Sequence, residues 1–351
     1  MEQRDGKAAG YDVIALGELL IDLTQNGRSG QGNPLFEANP GGAPCNVLAM
    51  LSRQGKRTAF IGKVGRDSFG RQLREALLEA GIDASYLLEE KDVPTTLAFV
   101  HRLPDGDRDF SFYRSPGADV MLRPEEIDGA AIRSARMFHY GSLSLTDEPV
   151  KSATKKAVSI AGEAGVLRSF DPNLRPPLWR SQEEAREQIA WGLAHCEILK
   201  ISDNEIRWFT GKESYDEGMA ALLREYPGIR LLCLSMGPDG SRAVLDGRTA
   251  EAPAFLVEDP ADTTGAGDTF CGGVLTYVLQ YGLEKLGGHL GEMLSFANAA
   301  ASLVTMHKGA LRVMPRPEEI RARMKSRPFW PGRGRQLPRP IPAGGIRPRD
   351  R

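Results

Sequence analysis

Short apolar runs recur along the chain at residues 12–17, 58–62, 137–141, 166–170, 198–201 and 231–235, each four to six residues long. That length, with polar or glycine flanks, predicts buried strands. Amphipathic segments separate them. Over residues 69–80, Leu73, Ala76, Leu77 and Ala80 fall on one helical face, and Gly81 follows as a stop signal. Strand and helix in repeated alternation predict an α/β fold, a mostly parallel sheet covered by helices on both faces.

One stretch breaks the alternation. Residues 95–101 and 109–113 are strand-like runs around Pro104-Asp-Gly-Asp107, with no helical pattern between them, and predict a hairpin. Together with the extended segment 22–40, the region 94–115 is expected to form a small antiparallel flap beside the main sheet, placed as a lid. The domain itself is expected over 11–325. Residues 1–10 and the Pro-, Gly- and Arg-rich tail 326–351 read as disordered. No internal repeat of fixed period is visible.

Composition narrows the setting. At 351 residues, 41% hydrophobic and 26% charged, the chain has the balance of a globular protein with one large core or two moderate ones. The formal charge of -1 hides an asymmetry, because residues 327–351 carry seven Arg and one Asp, leaving -7 on the remainder. The acidic body shows no nucleic-acid footprint. Cys45, Cys196, Cys233 and Cys271 sit singly, without zinc spacing, and are expected as buried free thiols in a reducing compartment. Residues 1–7 lack a signal-peptide apolar region, and no stretch approaches the ~18 apolar residues of a membrane span. The expected location is cytoplasmic, with no membrane or nucleic-acid partner.

The strongest chemical signal is Asp262-Thr-Thr-Gly-Ala-Gly-Asp268, a glycine turn running directly into a helical pattern. The amides of Gly265, Ala266 and Gly267 would be first-turn donors at a positive helix end, which is an anion site. A carboxylate at that point repels a phosphate but is well placed to take a proton from an attacking hydroxyl. Taken alone, Asp268 is equally explained as a helix cap. No Gly-x-x-x-x-Gly-Lys-Ser/Thr run occurs, and Gly265-x-Gly267 does not continue into Gly-x-Gly-x-x-Gly. A second cluster, Pro40-Gly-Gly-Ala-Pro-Cys-Asn46, precedes a helix ending near Gly55, with Pro44 suited to the first turn. It is either a ligand-contacting loop, with Asn46 as donor and acceptor, or a tight turn. Asp22 follows the first apolar strand, where ligands collect in parallel sheets, but an ordinary surface Asp would look the same.

The chain resembles the ribokinase-like, or PfkB, family of carbohydrate kinases, and its fructokinases most, over roughly residues 11–320. The resemblance rests on the two glycine runs and on Ile61-Gly-Lys-Val-Gly-Arg-Asp-Ser-Phe-Gly70, Phe110-Ser-Phe-Tyr-Arg-Ser-Pro-Gly-Ala-Asp119, Phe138-His-Tyr-Gly-Ser142 and Asp171-Pro-Asn-Leu-Arg-Pro-Pro-Leu-Trp179. It implies a three-layer α/β/α sandwich with a small β lid, and an ATP-dependent sugar kinase acting with Mg2+. Gly265, Ala266 and Gly267 would form the anion hole and Asp268 the base. Asp22, Gly41, Gly42 and Asn46 would hold the sugar, with Arg114 and Arg175 facing substrate or phosphate; a surface salt bridge is the rival for either arginine. Ser202 and Glu205 match a nucleotide and magnesium motif, Glu205 ordering the metal's water shell, although Ser-x-x-Glu is also a capping box. Ser235, Gly237, Gly240 and Asn298 match adenine-nucleotide contacts, with core packing the rival for Asn298. Asp262 and Thr264 would lie near a monovalent cation, K+ by implication. The expected acceptor is D-fructose, the alternatives being 2-keto-3-deoxygluconate, ribose or a nucleoside. A non-catalytic kinase-like partner protein is the reading from another class. Cys45 departs from the Ala common in this family, beside the sugar loop. A homodimer through the lid is also implied.

Overall fold

The structure, a computed structural model, describes residues 10–102 and 108–326. The Asp-Gly turn at 104–107, residues 1–9 and the basic tail 327–351 lie outside the described residues. Gly10, expected above in a disordered segment, packs against the Ser134 carbonyl with no room for a side chain.

The chain opens with β1 (Val13–Leu16), β2 (Leu20–Arg28), β3 (Pro34–Gly41), α1 (Ala43–Arg53), β4 (Thr58–Gly65) and α2 (Ser68–Glu79). Two short strands, β5 (Ile82–Asp83) and β6 (Leu87–Glu90), precede β7 (Leu97–Arg102) and β8 (Arg108–Tyr113). The next stretch alternates α3 (Gly129–Ser134), β9 (Met137–Gly141), α4 (Val150–Glu163), β10 (Leu167–Asp171), α5 (Gln182–Ala194) and β11 (Ile198–Ser202). Then follow α6 (Asp203–Thr210), α7 (Tyr215–Glu225), β12 (Leu231–Ser235), β13 (Ser241–Leu245) and β14 (Arg248–Ala252). Three helices close the described chain: α8 (Ala266–Leu286), α9 (Leu290–Val304) and α10 (Pro317–Met324).

The six apolar runs become β1, β4, β9, β10, β11 and β12, parallel in the order β12-β11-β10-β9-β1-β4. β13 and β14 extend one edge antiparallel, while β5 and β6 pair with β4 at the other. The strand period of two divides the core between layers. Val13 and Ala15 join the core under α1, α2, α8 and α9; Ile14 and Leu16 join the one under α3 to α7. This is the expected three-layer sandwich.

The lid is a separate sheet in the order β3-β2-β7-β8. Its two hairpins are antiparallel, but β2 and β7 pair in parallel, so the hairpins lie side by side in one direction. Cross-strand register puts Asp22, Asn39 and Ala98 on one face and Leu23, Phe36, Phe99 and Tyr113 on the other.

Helix α8 is buried nearly all round. At Gly272 and Gly273 it approaches Met50 of α1 and Ala297 of α9 so closely that side chains there would overlap them. The fit holds its first turn at the carboxyl ends of the central strands, where ligands bind in open α/β sheets. Among the described residues, no helix is long and apolar enough to cross a membrane.

Candidate active site

Gly265 is the N-cap of α8, at φ 78°, a left-handed conformation that favours glycine. Any side chain there would also collide with Ala310. The Ala266 amide lies 3.3 Å from the Thr263 carbonyl, so this member of the expected anion hole is partly engaged within the turn. Asp262 fixes the turn from outside. Its carboxylate accepts the amides of Thr264 at 2.9 Å and Gly309 at 3.1 Å, tying the glycine turn to the loop before α10.

Asp268 follows in the first turn of α8, 8% exposed, and Asn46 Nδ2 donates to its Oδ2 at 2.8 Å. This bond links the two glycine clusters across 222 residues of sequence. Burial raises the Asp268 pKa above the ordinary aspartate value, against the lowering effect of Asn46, Lys200 and Arg175. The Asn46 Oδ1 is buried without a hydrogen-bond partner, an acceptor facing a costly omission unless a ligand supplies the donor.

Asn46 lies in the first turn of α1, which starts at Ala43, so the second glycine run forms the helix start and does not merely precede it. Gly42, at φ 132°, offers no side-chain cap. The buried Glu18 supplies one instead, accepting the Ala43 amide at 2.8 Å. Cys45 is fully buried in the core cluster. Asp22 is half-buried on β2, its carboxylate so close to Gly41 that any side chain there would collide with it.

The two arginines part company. Arg175 is half-buried in the loop after β10 and close enough to act on Asp268 electrostatically. Arg114, expected to face substrate or phosphate, is 5% exposed, with all three nitrogens committed. Nε bonds Asp119 at 2.7 Å, Nη1 Thr146 at 2.9 Å and Nη2 the Leu143 carbonyl at 2.9 Å. This buried guanidinium ties the lid to the body.

A cavity of about 350 Å³, within the ~300–1,000 Å³ range of small-molecule sites, lies on the other side of the glycine turn. Ser235, Gly237, Gly240 and Asn298 all line it, with Ala266 and Gly267 at its inner wall. Phe255 and Leu256 add apolar surface. Asn298 uses Nδ2 on the carbonyls of Ala252 and Pro253, so it both lines the cavity and braces its rim. Ser202 lies one strand away, opposite Ser235 in register. The capping box is real: Glu205 accepts the Ser202 amide at 2.8 Å and hydroxyl at 2.7 Å, while its other oxygen takes the Leu174 amide at 2.7 Å. Burial would raise the Glu205 pKa, but Lys200 and these hydrogen bonds outweigh it and lower it.

Two buried residues at the centre escaped the sequence reading. Lys200 on β11 pairs with Asp171, the last residue of β10, at 3.0 Å from Oδ2. Burial pushes the Asp171 carboxyl up to about 7 despite Lys200. The available signal was a charge inside an apolar strand, Ile198-Leu-Lys-Ile201. Among the described residues, no cluster of three or more His, Cys, Asp or Glu is arranged to hold a metal.

A buried carboxylate at a helix start, beside a glycine turn that walls a nucleotide-sized cavity, marks a phosphoryl-transfer enzyme. Comparison with known proteins gives the family. The profile of the pfkB family carbohydrate kinases matches residues 11–317. "Probable fructokinase-2" of Arabidopsis thaliana is 43% identical over 307 residues, covering 86% of this chain and 92% of its own. A Xylella fastidiosa fructokinase with bound ATP superposes with TM-score 0.80 at 30% identity, over 90% of this chain and 98% of its own. A double-mutant Vibrio cholerae O395 fructokinase in a fructose-, ADP- and potassium-bound form gives TM-score 0.80 at 27% identity, over 91% and 100%. The chain belongs to the pfkB family of carbohydrate kinases. It is an ATP-dependent sugar kinase.

Proposed function

We propose that the chain phosphorylates D-fructose, giving fructose 6-phosphate and ADP, with Asp268 as the general base. The Asn46 to Asp268 hydrogen bond carries this reading, because it joins the loop proposed to hold the sugar to the carboxylate at the glycine turn. The acceptor hydroxyl attacks the γ-phosphorus, the bond to the β,γ-bridging oxygen breaks, ADP leaves, and the hydroxyl proton passes to the Asp268 carboxylate. The amides of Gly265, Ala266 and Gly267 face the transferring phosphoryl group. Asp22, Gly41, Gly42 and Asn46 hold the sugar hydroxyls, and the unpartnered Asn46 Oδ1 is a ready acceptor for one of them. Arg175 adds positive charge near Asp268. The cavity lined by Ser235, Gly237, Gly240 and Asn298 takes the adenosine end of ATP.

Mg2+ bound with ATP would supply positive charge against the phosphates. Carboxylate oxygens suit such a hard cation, and Glu205, kept ionised near the strand ends, would order its water shell. Asp262 and Thr264 are the residues proposed near K+, a reading supported by the potassium-bound Vibrio cholerae structure. The exposed aromatic face of the lid favours pairing of two copies. The four buried free thiols fit a cytoplasmic protein.

An ADP-release assay with fructose, ribose and 2-keto-3-deoxygluconate tests the acceptor. Fructose should give the highest kcat/KM. A higher value for either other sugar would move the assignment to it, and no turnover of any would favour a non-catalytic protein.

A further inference from the structure

Asp268 shares its surroundings with two other acidic groups, the buried Asp171 and the half-buried Glu205. Asp171 ends β10 at 2% exposure, and Glu205 lies in the first turn of α6. Ionised carboxylates gathered in a poorly hydrated site repel one another and lose hydration, so they tend to protonate. A protonated Asp268 accepts no proton from a hydroxyl. Something must keep it ionised.

The strand register supplies that group. Phe170 pairs with Leu199, so the next positions, Asp171 and Lys200, lie side by side on the sheet face beneath α8. The Lys200 ammonium is buried at 5% exposure, 3.2 Å from Asp171 Oδ1 and 3.0 Å from Oδ2. It also reaches the glycine turn, where a Cβ placed at Gly267 would stand 3.2 Å from Nζ. One cation therefore meets the end of β10 and the first turn of α8.

We propose that Lys200 is a positioning residue for phosphoryl transfer, the counter-charge fixed by Asp171 that keeps Asp268 ionised beside the glycine turn. The proposal rests on the reading of Asp268 as base. The groups facing the cluster are consistent with it. Burial lowers the Lys200 pKa, but Asp171, Glu205 and Asp268 together raise it, so the ammonium stays charged. His139 of β9, held against Ser169 Oγ at 3.1 Å, is kept neutral by burial and by Lys200, its pKa pushed down to about 3. Arg175 is the second cation acting on Asp268, and Asn46 is its neutral donor. The Cys45 and Cys271 thiols stay protonated, raised by burial first.

The test is the pH dependence of kcat/KM in the double variant Lys200→Met/Asp171→Asn compared with Asp171→Asn alone, a pair that differs only by the ammonium, because Asp171 itself repels Asp268. Lys200 lowers the Asp268 pKa, so its loss moves the acid limb to higher pH, by about one unit or more for an opposite charge at close range. Activity then recovers toward alkaline pH. Lys200→Arg should hold the limb at its wild-type position even if the rate falls. An acid limb no higher in the double variant than in Asp171→Asn, with the same loss at every pH, overturns the proposal. Asp268→Asn run alongside separates the two readings: if that variant stays active, the base assignment fails; if it is dead while the limb is unmoved, only the role of Lys200 fails.

Discussion

Asn46 makes one bond and leaves one acceptor open. Its amide holds Asp268 while its carbonyl oxygen is buried and unpartnered. Asn46→Ala should therefore raise KM for fructose roughly tenfold, the worth of one buried hydrogen bond. Because the lost bond favours the ionised carboxylate, the rate deficit should be larger below neutrality than above it. Steady-state kinetics across pH checks both; an unchanged KM would remove Asn46 from the sugar site. At this scale the sequence reading was uneven. Asp268 and Asn46 stood out because each lies in a glycine run whose spacing suggests chemistry. Lys200 and Asp171 did not, since a charged residue in an apolar strand reveals its partner only when the neighbouring strand is in place. Glu18 was hidden for the same reason, as it caps α1 from 25 residues away. Arg114 carried a motif resemblance but is bound to Asp119, Thr146 and Leu143, contacts no local pattern announces.

The element that matters most is α8 with its turn. Gly265→Ala places a Cβ against Ala310 and forces a left-handed residue, which costs about 1–2 kcal/mol from conformation alone. The melting temperature should fall by a few degrees, and kcat should drop about 10²- to 10³-fold as the amides lose their aim. Wild-type kcat in a folded variant would show that the turn tolerates a side chain and that its amides are not the anion hole. The strands and α2 were legible because burial on both sheet faces imposes continuous apolar runs and because Gly81 stops the helix at φ 75°. β13 and β14 were not, since SRAVL alternates buried and half-buried positions without a continuous apolar run and RTAEA is a largely exposed edge strand. The parallel β2 to β7 pairing depends on how two hairpins dock, which is a tertiary fact.

Over the whole molecule, the lid presents Leu35, Phe36 and Tyr113 to solvent at 47%, 41% and 65% exposure, with Phe36 and Tyr113 each 5.3 Å from Phe99. An apolar sheet face of this kind is the surface on which the proposed dimer would form. If two copies pair through it, Leu35→Ser/Phe36→Ser should shift sedimentation equilibrium from dimer toward monomer with little change in melting temperature. A monomeric wild type would end that part of the account. In the proposed reaction the sandwich would bring the ATP cavity and Asp268 on α8, and β2 of the lid sheet would bring Asp22. The central claim concerns the carboxylate between them, and the most direct measurement compares turnover and ATP binding in Asp268→Asn. The account predicts a folded protein that binds ATP as wild type does, with kcat for fructose lower by about 10²- to 10⁴-fold. Near-wild-type turnover would contradict it.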